Sequence, residues 1–292
     1  MLPFTLQFNP YPFDLYSLAI YIIFPLSIII FIVGFAYRIT RLILALRRKK
    51  WVAYRAPVGI TTLILGLVNV YIYPPLFAAF RNKKDLVLGL MAVHMVGLLP
   101  LIFLLGQHVA FYAYFIPIYS LLWPLAIPIS AATGSLPLFQ QFEPAISTQP
   151  FHSSIWGPLT VVLNGDVLTI ISLLAVGFKL GERMYMMVRE GHRPSDVILY
   201  IHLTLILVTG ALAAHHETLP FLTGTSAYRS ILGLHMILAG LFLALIPFTK
   251  YWHFVFGMFF GKIVEWIDRT VMRGAALEGG RLVPPRRKVR RR

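Results

Sequence analysis

Long uncharged, apolar runs alternate with short basic and polar stretches along most of the chain. The clearest runs are 15–37, 197–216 and 230–249, and two more lie within 86–142 and 144–165. A bilayer core takes about 20 apolar residues per helix, so each run is long enough to cross. The pattern predicts transmembrane helices at about 15–37, 88–110, 157–178, 197–216 and 230–250. Ser195 and Asp196, good N-cap types, mark the start of the fourth. Two further segments carry no charge. Residues 56–80 are broken by Pro74 and Pro75, and 110–132 holds Pro117, Pro124 and Pro128. The expected placement lays 56–80 on the inner surface and makes 110–155 an outer, partly interfacial excursion. The fold class is then an all-α integral membrane protein, a bundle of about five transmembrane helices with interfacial helices. Were both segments to cross, the count would be seven.

After the fifth span, "FVFGMFFGKIVEWIDRTVMRG" mixes apolar and charged residues at helical spacing, the mark of an amphipathic surface helix. The final "LVPPRRKVRRR" is a basic tail suited to anionic lipid or an acidic partner. The chain divides accordingly into a membrane domain, 1–254, and a cytoplasmic helix and tail, 255–292.

Charge fixes the orientation. Lys and Arg number 26 against 11 Asp and Glu, and they cluster at Arg38 to Arg55, Arg81 to Lys84, Lys179 to Arg193, and Lys250 onward. Lys and Arg are retained on the cytoplasmic side of membrane proteins. With the N-terminus outside and the C-terminus in the cytoplasm, every one of them except Arg229 faces inward. The expected location is the cytoplasmic (inner) membrane. In a chain that is 58% hydrophobic, this charge reads as topology and not as a nucleic-acid footprint. The first fourteen residues lack the basic n-region of a signal peptide. Cysteine is absent, so the chain offers no ligands for an iron–sulfur cluster of its own, no disulfide and no CxxCH haem attachment.

Any metal chemistry must then use His, Met or carboxylates. His94 and His108 share the second span, and 14 residues return to within about 40° of the starting face. His235 and His253 bound the fifth span; 18 residues are about five whole turns, with about 27 Å of rise. Each helix would carry one imidazole near each leaflet. In antiparallel helices His108 and His235 share the outer level, and His94 and His253 the inner level. Two imidazoles facing each other at two depths suit two bis-His b-type haems. Gly97, Gly106, Gly233 and Gly240 are candidates for the close approach of a flat macrocycle, or simply for close helix packing. Any single histidine here also reads as a hydrogen-bonded core residue. A rival set exists, because His202 and His216 on the fourth span are likewise 14 apart. They would make a cytochrome b of the bc-complex kind.

The C-terminal "LGLHMILAGLFLALIPFTKYWH" resembles the last helix of the respiratory nitrate reductase gamma subunit and its relatives. Those relatives are the membrane cytochromes of sulfite-reduction-associated and heterodisulfide reductase complexes. The matching positions are His235, Gly240, Pro247, Phe248, Thr249, Lys250 and His253. The segment "RNKKDLVLGLMAVHMVGLLPLIFLLGQH" matches the family's basic stretch followed by His94, Gly97 and His108, and "NPYPFDLY" its start. This chain sets His94 and His108 about one helical turn further apart than the nitrate reductase subunit does, with Pro100 between them. The resemblance implies a quinone-linked dihaem cytochrome b. It further implies quinol oxidation near an outer haem held by His108 and His235. An inner haem on His94 and His253 would pass electrons to an iron–sulfur or molybdopterin partner subunit on the cytoplasmic face.

Other polar residues within the apolar runs supply quinone and proton candidates. Asp166 is expected about halfway down the third span, where a carboxylate costs about 2.5–3.5 kcal/mol without a partner. His215 and His216 sit with Glu217 at the outer end of the fourth span. Arg229, the lone outer cation, is placed to neutralise a propionate or a quinone oxygen, or to snorkel as a helix flank. The contrasting class is a haem-free transporter or scaffold whose histidines are structural.

Overall fold

The structure, a computed structural model, describes residues 13–48, 85–129, 155–191, 193–216, 218–222, 224–253, 276–278 and 281–283, with a few single positions between 60 and 83. It is an all-helical membrane bundle. Among the described residues the regular strands are β1 (Ala276–Glu278) and β2 (Arg281–Val283), a short antiparallel pair. Four helices are long and apolar enough to cross a bilayer: Leu15–Arg41, Val87–Leu104, Pro194–Ala214 and Ser226–Phe248. The question of 56–80, the helix expected after 254 and the basic tail fall largely outside the described residues.

The first helix, α1, begins at Leu15–Leu18, winds as a π-helix over Ala19–Ile23 and continues through Phe24–Arg48. Asp14 caps it, its carboxylate accepting from the Ser17 N–H at 2.9 Å. The second, α2, is π-wound over Asp85–Leu98 and α-helical over Leu99–Leu104. It does not continue smoothly to 110. Leu105 turns extended, at ψ 130°, and a new helix, α3, runs Gly106–Phe115. Pro100 supplies no N–H to the turn below it, so the ladder is already weakened here. The break is then filled by chain from elsewhere. Gly106 N–H donates to the Ile127 carbonyl at 2.8 Å, and Ile127 N–H to Leu104 at 2.7 Å.

Residues 110–129 therefore form no single spanning helix, and 130–132 lie outside the described residues. After α3 come a 3-10 stretch, Pro117–Leu125, and an extended segment with Ala126, Ile127 and Ile129 buried. Non-helical backbone at membrane depth survives only where protein encloses it and satisfies its polar groups. Here the enclosing elements are the break at Leu105 and the N-terminus of the next helix, where Gly165 and Asp166 N–H donate to Pro128 and Ile129 carbonyls.

That next helix, α4, spans Gly165–Glu190, not 157–178. Asn164 is its N-cap, accepting from Val167 N–H at 3.1 Å. Asp166 consequently lies in the first turn, where the helix dipole favours a carboxylate, and not halfway across. Twelve residues separate Asp166 from Lys179. That uncharged stretch rises about 18 Å, short of a hydrocarbon core. Beyond it the helix carries its charges onward, with Lys179 buried against Glu182 at 2.9 Å. Gly191 closes it at φ 66°, the left-handed conformation that glycine adopts freely. The third spanning segment, α5, runs Pro194–Ala214; Arg193, and not Ser195 or Asp196, holds the N-cap position. The last, α6, runs Thr225–Leu245.

Contacts divide the chain into two compact units, Met1–Phe24 with Lys83–Ala239, and Pro25–Asn82 with Gly240–Arg292. In the first, α4 packs against α5 and the π-wound part of α2. Its core gathers Val93, Leu101, Ile127, Leu168, Ala175, Val176 and Leu207.

In the second, the Pro-Phe-Thr-Lys motif ends a helix. Pro247 cannot donate to the α ladder, and the chain tightens into 3-10 turns at Ile246–Phe248 and Lys250–His253. His235 and His253 are thus not five turns apart on one helix, as the sequence spacing implied. Arg38 donates from Nε to the Pro247 carbonyl at 2.8 Å and lies over the Trp252 ring. Gly34 is needed beneath them, since a Cβ there would meet Pro247 and Phe248 carbons at 2.8 and 2.7 Å.

Candidate functional site

The first unit brings His108 and His235 together. Their ring centroids are 6.3 Å apart and their planes differ by 3°. His108 sits in the first turn of α3, just past the break, and its Nδ1–H donates to the Leu101 carbonyl at 2.6 Å across that break. His235 lies mid-way along α6. Its Nδ1–H donates to the Ile206 carbonyl of α5 at 3.1 Å, with the Thr209 hydroxyl 3.3 Å away. Both imidazoles are therefore anchored through Nδ1 to backbone carbonyls. That fixes the tautomer and leaves each Nε2 with its lone pair, the arrangement by which proteins present histidine to a metal.

Glycine 210, one turn from Ile206 on α5, makes room for the second ring. A Cβ there would stand 2.9 Å from His235 Cε1. Gly210→Ala is therefore expected to push the ring off its anchor and cost about 1–3 kcal/mol, read as a lower unfolding midpoint in detergent. Gly210 and Thr209 were not apparent as site residues in the sequence, because their role depends on which helix faces His235. Three of the glycines that the sequence singled out serve packing or hydrogen bonding. The Cβ position of Gly97 is taken by the Ser172 hydroxyl of α4, and that of Gly233 by the Leu15–Tyr16 backbone. Gly106 donates its N–H to Ile127.

The remaining candidates separate by environment. His94 lies in the π-wound stretch, where a five-residue step puts the Gly89 carbonyl 2.6 Å from its Nδ1. His253 is on the last 3-10 turn, and its side chain lies outside the described residues. His202 is buried, and its Nε2–H donates to the Leu238 carbonyl of α6 at 3.0 Å, tying two helices. His216 stacks on Tyr228 with centroids 3.7 Å apart and donates from Nδ1 to Ala213.

Two ion pairs occupy the end of this unit where α5 stops and α6 starts. Arg229, 7% exposed, donates from Nε and Nη2 to the two Asp14 oxygens at 2.5 and 3.0 Å. Its Nη2 also reaches the Ser17 hydroxyl at 3.3 Å, and its guanidinium lies over the Tyr16 ring. Donation from Arg229 holds the Asp14 carboxyl well below the usual carboxylate range. The second pair joins Asp166 to His215, with Nε2–H donating to Oδ1 at 2.7 Å. Beside the break, the Gln107 side-chain oxygen is buried without a hydrogen-bond partner among the described residues.

No group of three or more His, Asp or Glu side chains gathers as a metal site among the described residues. A closed zinc site takes four protein ligands and a catalytic one three. His108 and His235, both anchored through Nδ1, would instead offer two imidazole Nε2 atoms to a metal whose other donors come from a macrocycle. Comparison of the chain with protein-family models, with curated proteins and with solved structures found no match.

Proposed function

We propose that the protein is a dihaem cytochrome b subunit that carries electrons between quinone and an iron–sulfur or molybdopterin partner. The observation that carries this reading is the His108–His235 pair. A metal-bound imidazole nitrogen lies about 2 Å from its ion, so two rings on opposite sides have centroids about 6 Å apart. The observed 6.3 Å separation of parallel rings suits that spacing. It is wider than a direct stack such as His216 on Tyr228. Backbone anchoring of both Nδ1 atoms supports ligation through Nε2.

On this reading His108 and His235 hold one haem, and the sequence resemblance assigns His94 and His253 to the other. A bis-His haem cycles between two iron oxidation states and moves one electron at a time. The protein's own part is to set the imidazoles, exclude water around them and bind the quinone. The N-terminus lies outside and the basic segments inside, where they offer an acidic partner subunit a docking surface.

The purified chain, made in cells supplied with haem, is expected to show b-type bands in its reduced-minus-oxidised spectrum, with haem near two per chain. A colourless product from such cells would sink the proposal and leave a transporter or scaffold with structural histidines.

A further inference from the structure

We infer that Asp166 and His215 accept and export the protons of a hydroquinone oxidised beside His108 and His235; this rests on the quinone-linked reading above. The pair has the geometry of an oriented base. The Asp166 carboxylate takes the Nε2–H of His215 at 2.7 Å and so fixes the imidazole tautomer. Nδ1 is left as the basic atom, with no hydrogen-bond partner among the described residues. Asp166 is supported where it stands, in the first turn of α4 behind the Asn164 cap. The side chains are 37% exposed for His215 and 34% for Asp166, open at the end of α5 where that helix stops.

Both elements that carry the pair also build the histidine site. On α5, Ile206 and Thr209 contact the His235 ring, Gly210 leaves space for it, and His215 ends the same helix. Six residues from Thr209 to His215 rise about 9 Å. On α4, Gly165 packs on Leu105, three residues before His108, where a Cβ would meet the Leu105 Cδ1 at 2.8 Å. The neighbouring groups are already occupied. Arg229 is bound to Asp14 and Ser17, and His216 lies on Tyr228 with its Nδ1–H given to Ala213.

The chemistry balances as follows. Oxidation of a hydroquinone to a quinone breaks two O–H bonds and releases two protons and two electrons. Each proton passes to His215 Nδ1, where the Asp166 carboxylate stabilises the imidazolium, and then leaves to water before the next. The two electrons would leave one at a time through the haem that His108 and His235 would hold, toward the iron–sulfur partner, which would be the oxidant.

The test uses the full haem-loaded chain in lipid nanodiscs, with menadiol as the reductant. Asp166→Asn and His215→Ala are expected to keep the haem reducible by dithionite and to leave the KM for menadiol little changed. The haem reduction rate at saturating menadiol should fall about a hundredfold or more, the usual weight of a positioned base. Added imidazole should restore the His215→Ala rate in proportion to its concentration, which a merely structural role would not allow. Full haem with unchanged rates would overturn the inference and leave the cytochrome reading standing. Loss of haem from both variants would overturn it too, by making the pair structural. A wild-type chain without haem would remove both readings.

Discussion

His108→Ala and His235→Ala are each expected to remove one and the same haem, lowering the haem content from about two per chain to about one. The reason is geometric: the two rings lie parallel with centroids 6.3 Å apart, and a haem held between them would lose one of its two protein ligands with either substitution. His253→Ala should remove the other haem, so the double variant His108→Ala/His253→Ala should be colourless. Pyridine haemochrome assay against protein concentration measures this directly. If His202→Ala and His216→Ala strip haem while His108→Ala and His235→Ala do not, the ligands lie on α5 and just beyond its end, as in a bc-type cytochrome. The bond from His202 Nε2 to the Leu238 carbonyl points the other way, to a helix tie. Its alanine variant is expected to lose stability while keeping both haems.

The second large effect is expected at Arg229. Its guanidinium is buried against Asp14, Ser17 and Tyr16, which joins the start of α1 to the start of α6. Removing one partner of a buried pair strands the other charge, at a cost of about 3–5 kcal/mol. Arg229→Met should fall at the lower end, about 3 kcal/mol, because the Asp14 side chain keeps 25% of its exposure and water can reach it. The double variant Arg229→Met/Asp14→Leu should recover most of that loss, since apolar replacements of both partners leave no buried charge. Unfolding midpoints of the four chains in one detergent form the cycle.

Acid should erase the difference. Arg229 holds the folded Asp14 carboxyl below its ordinary range, whereas in the unfolded chain it titrates near about pH 4. The stability it contributes is therefore full above about pH 4 and is lost as pH falls below that. Wild type and Arg229→Met should converge on acidification. A gap that stayed constant down to pH 2 would show that the pair is not what Arg229 contributes.

Parts of this arrangement can be read directly from residues. Asn164-Gly165-Asp166 is a helix-start signature, and it places Asp166 in a first turn once the cap is recognised. Pro247 likewise announces the end of a helix. His235 and His253 do not share one face across five turns, because a helical wheel holds only while the i to i−4 ladder is unbroken and Pro247 breaks it. The same limit applies between His94 and His108. One stretch of that span is π-wound, and Leu105 leaves the helix altogether to meet Ile127. No local pattern shows that Ile127, 22 residues later, will fill the gap. The pairing of Arg229 with Asp14 is equally invisible, since 215 residues separate them.

By itself, then, the sequence determined that the chain is an all-helical membrane protein. Apolar length and the confinement of Lys and Arg are properties of each segment alone, and transfer into a bilayer responds to them one segment at a time. It also supplied the imidazoles. Which of them meet was decided only by the tertiary structure. The helix break after Leu104, the capped start at Gly165 and the open face of Gly210 bring His108 to His235. The same elements set Asp166 against His215. Backbone groups freed by a break in one helix must be satisfied by another part of the chain, and that requirement, absent from any single segment, builds the site.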